Sequence, residues 1–332
     1  MMHFCTLFDA NYLTRALAMH RSLEKVSDDF HLYFFTMDKE SENVLRELKL
    51  NSSTIVPIAD IENEELLNAK INRTSAEYCW TCTPTIIDYS LQKFNLDQVT
   101  YLDADLFFYS NPKILLDEMR DNSVLITEHR YSPQSKEPEI FGKYCVQFIS
   151  FKNDFHGNKI LQWWKNECIK WCYNRIEDGK FGDQKYLDNW TTEFEKIYVL
   201  QNFGGLIAPW NLQQFNIYEV ENELYIKHFE TNKTEKVVYF HFHFLKFYEN
   251  NLIDIGDYHI NENAKSLLYE KYINELEKYR EIVSRYSKKA EKQAAVKYKN
   301  DIDSRFNRLK RKIKMTLNIY PFDNFGISKI NE

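Results

Sequence analysis

The sequence predicts an α/β fold in which helices flank a mostly parallel sheet. Short apolar runs typical of buried strands alternate with segments of helical periodicity over residues 1–260. Hydrophobic residues make up 44% of the chain and aromatic residues 16%, which indicates a large core and excludes a disordered protein. In such sheets, ligands bind beyond the carboxyl ends of the strands, so we expect functional side chains there.

The predicted elements follow one another in a regular order. The predicted strands cover residues 3–8, 30–36, 53–58, 98–102, 123–127, 145–151 and 236–244. The predicted helices lie near residues 11–25, 41–49, 62–70, 84–94, 112–119, 156–175 and 183–189. Two parallel strands need a crossover connection between them, which is usually a helix. Strands that are separated by helices are therefore expected to pair in parallel.

Charge separates a second region from this α/β part. Residues 284–314 hold twelve basic and three acidic residues, a net charge of +9, although the whole chain carries −6. Residues 262–314 are nearly free of Gly and Pro, which favours helices. We therefore expect an α/β domain over 1–260 and a basic, mainly helical extension over 261–332.

The extension contains an amphipathic pattern. Four apolar residues recur at spacings of 3, 4 and 4: Phe306, Leu309, Ile313 and Leu317. Basic residues occupy the remaining faces: Arg305, Arg308, Lys310, Arg311, Lys312 and Lys314. The pattern is typical of a helix that lies on an anionic membrane surface, which would involve 284–317. The alternative is that the stripe packs on the α/β domain. Nucleic acid is an unlikely partner, because the rest of the chain is acidic.

The sequence predicts a cytoplasmic protein, peripheral on the inner face of the membrane if the extension binds lipid. It has no secretion signal at its start and no apolar run long enough to span a bilayer. Six cysteines in a chain of this length do not suggest a disulfide framework.

The most informative segment is 101–112, with the sequence YLDADLFFYSNP. Asp103 and Asp105 end an apolar run and lie two residues apart, so on an extended segment they point to the same side. Two carboxylates at the end of a strand suit Mn²⁺ or Mg²⁺, which leave other positions for water and phosphate. For an isolated Asp-x-Asp, the alternative is an acidic turn.

Further segments accompany this motif in a fixed order along the chain: 3–12, 181–184, 202–211 and 237–246. Taken in this order, they resemble the GT-A fold glycosyltransferases that use sugar nucleotides, most closely the retaining family 8 type and its bacterial relatives. The resemblance covers roughly residues 1–250, and its specificity comes from the series of segments. It implies a GT-A-like, Rossmann-type catalytic domain over 1–260.

The resemblance implies that Asp103 and Asp105 bind Mn²⁺ or Mg²⁺. It also implies a later histidine as the third ligand, and the sequence HFHF offers His241 and His243. The spacing to Lys246 favours His241, although Phe244 stands where the family has the glycine of His-x-x-Gly. A place in an amphipathic strand is the alternative for either histidine.

The resemblance also implies the residues that bind a UDP-sugar donor. Those for the nucleotide are Thr6, Asp9, Asn11 and Tyr12, and those for the diphosphate and sugar are Ala104, Lys246, Arg73 and Trp80. The alternative for Asp9 and Asn11 is helix capping. At 145–147, the sequence CVQ replaces the common Asn-Ala-Gly, and the bulkier Gln147 is expected to reshape the sugar pocket.

By the same resemblance, Asp183 and Gln184 form the catalytic pair near the anomeric carbon. Retention through a covalent intermediate and retention through a front-face route both stay open, and capping of a helix is the alternative for Asp183. Trp210 either stacks on a sugar or is buried. The implied acceptor is a glycan or a lipid-linked or protein-linked glycoconjugate.

Other classes of function share parts of this pattern. A haloacid-dehalogenase-like phosphatase places Asp-x-Asp in its first strand, whereas about a hundred residues precede the motif here. A sugar-1-phosphate nucleotidyltransferase needs a Gly-rich phosphate loop after the first strand, and Asp9-Ala10-Asn11 does not supply one. A non-catalytic binding protein would not need the carboxylate pair.

Overall fold

A computed structural model describes residues 1–133, 139–293 and 295–327. The strands of the first part are β1 (Met2–Phe8), β2 (Phe30–Thr36), β3 (Ser53–Pro57), β4 (Gln98–Leu102), β5 (Leu106–Phe108), β6 (Val124–Glu128), β7 (Tyr144–Lys152) and β8 (Ile197–Val199). Those that follow are β9 (Phe215–Val220), β10 (Glu223–His228), β11 (Thr234–Lys236), β12 (Tyr239–His241), β13 (Lys246–Tyr248), β14 (Leu252–Asp254), β15 (Ala295–Val296) and β16 (Ile319–Pro321).

The α-helices alternate with these strands. They are α1 (Leu13–Val26), α2 (Lys39–Leu48), α3 (Glu64–Ile71), α4 (Ser75–Lys93), α5 (Lys113–Asp117), α6 (Phe155–Lys170), α7 (Trp190–Glu193), α8 (Glu262–Ala264), α9 (Lys271–Tyr286), α10 (Lys288–Gln293) and α11 (Ile302–Ile313). A π-helical segment, Lys265–Glu270, joins α8 to α9. Within the part of the chain described, no helix has the length and apolar character that crossing a bilayer requires.

The central sheet confirms the predicted α/β class. Its strand order is β3-β2-β1-β4-β7-β6-β8, and all neighbours are parallel except where β7 meets β4 and β6. β1 lies between β2 and β4, so the chain builds the sheet in one direction and then returns to the other side of β1. The carboxyl ends of β1 and β4 therefore flank the switch point, where such sheets bind ligands.

Helices cover both faces of this sheet, because the strand residues that point to one face and those that point to the other are both mainly apolar. On one face, Phe4 and Phe34 belong to a core that includes residues of α1 and α2. On the other face, Cys5 and Phe35 belong to a core with residues of α4 and α6. The buried strands are thus nearly continuous apolar runs, as expected for parallel strands that are covered twice.

Three predicted helices differ from the structure, and the one predicted over 156–175 ends at Lys170. α4 begins at Ser75 and not near 84, because Thr74 and Glu77 form a capping box that starts the helix earlier. Pro84 lies inside α4, where it only removes one helical hydrogen bond. The helix predicted over 183–189 is reduced to a 3₁₀ segment, Lys185–Asn189.

The extension after residue 260 is joined to the α/β part. A four-stranded sheet has the order β15-β13-β14-β16, so two of its strands precede residue 260 and two follow it. α9 also packs against α1, and Tyr272 and Leu276 share a core with Ala18. The domain boundary near residue 260 stays a prediction. Both the four-stranded sheet and the core that contains Ala18 include residues from before and after it.

α11 is held at this sheet by Arg311, which forms a close ion pair with Asp254 and a longer one with Asp257, at 3.6 Å. The Arg311 guanidinium donates through Nη1 and Nη2 to the two carboxylate oxygens of Asp254, at 2.6 and 2.7 Å. Arg311 Nη2 also donates to the carbonyl of Gly256 at 2.8 Å. The Asp254 side chain is 7% exposed and the Arg311 side chain 14%, so the pair is largely removed from water.

We expect Arg311→Ala to lower the free energy of unfolding by about 3 kcal/mol, because it leaves the buried Asp254 carboxylate without its partner. Lys312→Ala, which removes an exposed cation from the next position of α11, serves as the control. Urea unfolding of both variants measures the difference. Equal losses for the two variants would contradict an anchoring role of Arg311.

Candidate active site

Asp103 follows β4 directly and is held in place by the backbone of β7. Its amide donates to the carbonyl of Gln147 at 2.9 Å, which continues the antiparallel pairing of Leu102 with Phe148. The carbonyl of Asp103 accepts the amide of Leu106 at 3.2 Å, so the motif turns sharply between β4 and β5. This turn projects both aspartates at the carboxyl edge of the sheet.

The histidine strand reaches the same edge through the pairing of β5 with β12. His241 lies opposite Leu106 in this antiparallel ladder, and the Phe242 amide donates to the carbonyl of Asp105 at 3.0 Å. Residues more than 130 positions apart are thereby placed side by side. β12 is only three residues long, shorter than the strand predicted over 236–244.

The structure places His241 against both carboxylates. Its Nε2 lies 3.1 Å from Oδ1 of Asp105 and 3.7 Å from Oδ2 of Asp103. The Asp103 side chain keeps 31% of its surface exposed, so this group opens to the crevice. His243 packs instead against the rings of Trp210 and Phe244, at centroid distances of 5.4 and 4.5 Å.

The other ring nitrogen of His241 is bound to Gln147. Nδ1 of His241 donates to Oε1 of Gln147, and Nε2 of Gln147 donates to the hydroxyl of Tyr239 at 3.4 Å. A proton fixed on Nδ1 leaves Nε2 facing the carboxylates, which is the orientation that metal-binding histidines adopt. Gln147, predicted to reshape the sugar pocket, therefore contacts the histidine of the site.

The pKa values of the two aspartates shift in opposite directions. Burial raises the pKa of Asp103 to about 6, although the charge of His241 opposes this effect. Burial also acts to raise the pKa of Asp105, but the charge of His241 and its hydrogen bond prevail and lower that pKa to about 2. The pKa of His241 lies well above its usual value despite burial, because of Asp105 and then Asp103. Positive charge at this point stabilises both carboxylates in ionised form.

The donor set fits a divalent cation. Carboxylate oxygens and an imidazole nitrogen are common ligands of Mn²⁺ and related ions. One ligand atom each from Asp103, Cys145 and His241 lie within 4.8 Å of one another. Asp105 adds a carboxylate oxygen beside the same histidine nitrogen.

The predicted nucleotide turn lies at the end of β1, across the switch point from Asp103. Asp9 accepts hydrogen bonds from the backbone and side-chain nitrogens of Asn11, at 3.0 and 2.8 Å. α1 has Tyr12 at its N-cap position and no side-chain capping bond there, whereas the Asp9 carboxylate caps the Asn11 amide of the turn that leads into α1. Tyr12 is 43% exposed, and the buried Oγ1 of Thr6 has no hydrogen-bond partner among the described residues.

Arg15 is a residue of this crevice that sequence reasoning missed. It is 6% exposed, and it donates to the carbonyls of Asn11 and Leu245 at 2.9 Å each. Its guanidinium also lies 4.8 Å from the centre of the Tyr12 ring. Arg15 thus ties the β1 turn to the loop after β12. No local sequence signal could reveal this, because Leu245 lies 230 residues away.

Asp183 and Gln184 lie in a segment that side chains hold from several sides. The indole of Trp164 donates to the carbonyl of Asp183 at 2.9 Å, and Nε2 of Gln184 donates to the carbonyl of Phe141 at 2.8 Å. Burial raises the pKa of Asp183 to about 8, and the charge of Asp103 adds to this. The 3₁₀ segment that follows has no side-chain cap, so capping by Asp183 is wrong.

Trp80 supports the same segment from α4. Gly182, just before Asp183, has a φ of +52°, and a Cβ there would lie 3.4 Å from the Trp80 ring. The Trp80 ring centre is also 6.3 Å from that of Phe181. Trp80 is therefore in contact with the segment that carries the predicted catalytic pair.

The structure does not bring Arg73 to the metal ligands. Its Nη2 donates to the carbonyl of Ile169 at 2.8 Å, and its guanidinium lies 5.1 Å from the centre of the Tyr173 ring. With Lys170 it lines a cavity of about 330 Å³ between α3 and the end of α6. A contact of Arg73 with the donor sugar stays a prediction. Trp80 is the better candidate for that contact, because it touches the segment of Asp183 and Gln184.

The two remaining predicted donor contacts are Ala104 and Lys246. Ala104 is buried between the two aspartates, at 6% exposure. Lys246 begins β13, and its Nζ lies 5.0 Å from the centre of the Phe244 ring. Phe244 has a φ of +66°, a region that favours glycine, at the position where the family has the glycine of His-x-x-Gly.

Trp210 is buried, which decides between its two predicted roles. It is 4% exposed, and its indole donates to the carbonyl of His129 at 2.8 Å. Its ring packs edge-to-face on His241 and His243, at 5.3 and 5.4 Å. Trp210 supports the histidines and does not offer its face to a sugar.

Comparison with solved structures identifies the fold. The galactosyltransferase LgtC, solved in complex with donor and acceptor sugar analogs, aligns with a TM-score of 0.53 over 83% of this chain and 95% of its own, at 14% identity. The chain therefore has the fold of the GT-A glycosyltransferases.

Sequence comparison identifies the family. No family model matches the chain. The uncharacterized protein YfnF of Bacillus subtilis (strain 168) is 37% identical over 219 residues, which cover 64% of this chain and 72% of YfnF. YfnD of the same organism, also uncharacterized, is 29% identical over 68% of this chain and 73% of its own. The chain belongs to the family of YfnF.

Proposed function

We propose that this protein is a metal-dependent glycosyltransferase that moves a hexose from a UDP-sugar to a glycan or glycoconjugate acceptor with retention, as in the synthesis of a bacterial surface glycan. The observation that carries the proposal is the convergence of Asp103, Asp105 and His241 at the switch point of a GT-A fold. Two carboxylates and one imidazole, three potential ligands of a divalent cation, meet there beside the turn predicted to bind a nucleotide.

In this proposal, Asp103, Asp105 and His241 would hold Mn²⁺ or Mg²⁺. The bound cation would act as a Lewis acid that neutralises the charge that develops on the leaving diphosphate. Gln147 keeps Nε2 of His241 turned toward the carboxylates, so that the ligand set is arranged before the donor enters.

The β1 turn would bind the nucleoside part of the donor. The orphaned Oγ1 of Thr6 and the exposed ring of Tyr12 are the groups that a base and ribose could engage. Arg15 fixes the turn through the carbonyl of Asn11 and supplies a buried positive charge beside it. Lys246 would contribute a second, more mobile positive charge to the diphosphate.

Asp183 and Gln184 would act at the anomeric carbon. Because Nε2 of Gln184 is engaged by the Phe141 carbonyl, its Oε1 remains the acceptor that faces away from that carbonyl. An oxygen dipole fixed in this way stabilises positive charge that develops on the sugar ring. Asp183 lies near enough to Asp103 for their charges to interact, so it belongs to the same electrostatic environment.

Release of nucleotide from a panel of nucleotide sugars tests the proposal without knowledge of the acceptor. We expect slow hydrolysis of one donor class when Mn²⁺ or Mg²⁺ is present, and none after chelation. A panel that includes UDP-, GDP- and dTDP-sugars reports the nucleotide preference. Absence of turnover with every donor and either metal, by a protein that remains folded, would refute the proposal.

In this proposal the protein is cytoplasmic, and its extension binds the inner, anionic face of the membrane. Phe306, Leu309 and Ile313 are 54%, 53% and 75% exposed, so this part of the stripe does not pack on the α/β part as the alternative predicted. Leu317 lies beyond the end of α11 and is half-buried. Arg311 is engaged by Asp254, but five of the six predicted basic residues remain for anionic lipid, each worth on the order of 1 kcal/mol.

We expect the triple variant Phe306→Ser, Leu309→Ser and Ile313→Ser to lose most of its binding to anionic vesicles, because it removes the apolar face that enters the interface. Co-sedimentation with anionic and neutral vesicles measures this. A truncation after residue 283 is a poorer test, because it removes β15 and β16 from a sheet that the α/β part shares.

The matched control removes three exposed apolar residues elsewhere: Ile71→Ser, Ile114→Ser and Val220→Ser. It should bind anionic vesicles like the unaltered protein. The membrane role of α11 would be excluded if the two triple variants sediment equally with anionic vesicles. It would also be excluded if the unaltered protein binds neutral and anionic vesicles equally.

A further inference from the structure

Cys145 lies inside the candidate metal centre. It is the second residue of β7, 5% exposed, and its Sγ lies within 4.8 Å of a ring nitrogen of His241. Gln147 is two residues further on the same strand, so both side chains lie on the same face of β7. That face meets His241 from β12, so β7 contributes two side chains to the surroundings of one imidazole.

The spacing of the potential ligand atoms suits a single ion. Atoms of Asp103, Cys145 and His241 lie within 4.8 Å of one another. Ligand atoms at about 2.0–2.3 Å from one ion lie about 3–4 Å apart in tetrahedral or cis-octahedral geometry, so the atoms must approach one another by up to about 1 Å to close the set. The structure already fixes His241 through Gln147, so it is the Cys145 and Asp103 side chains that adjust.

We propose that Cys145 is a direct ligand of the divalent cation, so that the centre combines carboxylate, imidazole and thiolate. This deepens the proposed function, on whose metal site it rests. On binding, the Sγ–H bond breaks, its proton leaves to solvent, and a sulfur–metal bond forms. A thiolate ligand shifts the preference of the site toward thiophilic divalent ions such as Co²⁺, Zn²⁺ and Cd²⁺, and away from Mg²⁺.

Addition of Co²⁺ to the full-length protein, with no donor or acceptor, tests this assignment. We expect a near-ultraviolet sulfur-to-cobalt charge-transfer band that saturates at one Co²⁺ per chain and is absent from Cys145→Ser and Cys145→Ala. Cys168→Ala is the matched control, since Cys168 is a buried thiol of α6 outside the ligand set, and it should keep the band. Cd²⁺ affinity should fall about 10- to 100-fold in the Cys145 variants, and Mn²⁺ affinity much less.

X-ray absorption of the Co²⁺-loaded unaltered protein provides a measurement that does not depend on the folding of a variant. A sulfur scatterer at about 2.3 Å from the metal supports the assignment, and a shell of oxygen and nitrogen alone overturns it. If Co²⁺ binds through Asp105 without a charge-transfer band, Cys145 is not a ligand and the proposed metal centre stands. Failure of Co²⁺ and Mn²⁺ to bind at all overturns both the assignment and the proposed function.

Discussion

Asp105→Asn should reduce sugar transfer at least about 10³-fold while the protein stays folded, because loss of a ligand charge removes several kcal/mol of transition-state stabilisation. Asparagine keeps the volume of the side chain and an oxygen that can still face Nε2 of His241, which is 3.1 Å away. The change therefore acts on charge more than on packing. Transfer or donor hydrolysis, measured with saturating Mn²⁺, gives the effect, and circular dichroism checks the fold.

Asp117→Asn is a suitable control for this substitution. Asp117 lies at the end of α5, 61% exposed, and pairs only with Lys113 on the same helix. It should leave the rate unchanged. A chelator should silence the unaltered protein, and full activity of Asp105→Asn in excess chelator would refute metal-dependent transfer altogether.

Gln184→Ala is expected to lower kcat about 10²- to 10³-fold with little change in KM for the donor. A dipole that acts on developing charge contributes mainly in the transition state, so its loss appears in kcat. The Gln184 side chain is held by the Phe141 carbonyl, which means that it needs no reorientation during the reaction. Asp183→Asn should act in the same direction, since it removes a buried carboxyl from the same segment.

Steady-state kinetics on donor hydrolysis separate the two parameters, and Asn189→Ala, an exposed change at the end of the same 3₁₀ segment, is the control. If Gln184→Ala or Asp183→Asn raises only KM, these residues bind the donor and take no part in the reaction centre.

The elements with strong local signals could be predicted from the sequence. The strand predicted over 30–36 coincides with β2, because every second residue and most of those between are apolar and buried. The crevice could also be predicted, since the alternation of strands and helices places the ends of β1 and β4 at one edge of a parallel sheet. Asp103 and Asp105 follow from that placement.

The parts that could not be predicted depend on distant contacts. In the sequence, nothing distinguishes Arg15 from other polar residues of α1. Only the fold shows that it donates to the carbonyl of Leu245. Gln147 stood out from the family pattern, but its bond to His241 depends on β7 and β12 lying on the two sides of the Asp103 turn. The choice between His241 and His243 likewise required the register of β12 with β5.

Local sequence signals also failed to predict the ends of some helices and the strands of the extension. The start of α4 predicted near residue 84 is wrong, because the capping box at Thr74 begins the helix nine residues earlier. The extension reads as continuous helix, because two-residue and three-residue strands such as β15 and β16 carry no periodicity of their own. Their pairing partners, β13 and β14, lie some fifty residues or more upstream.

The four-stranded sheet that joins these segments has a thermodynamic consequence. Its strand β13 begins with Lys246, a predicted contact of the diphosphate, and its strand β14 ends with Asp254, which holds α11 through Arg311. If donor binding at Lys246 stabilises this sheet, it would also hold α11 more firmly. Because linkage is reciprocal, adsorption of α11 on a lipid surface would then favour occupation of the crevice to the same degree. The enzyme would then hold its donor most firmly where a lipid-linked acceptor is within reach.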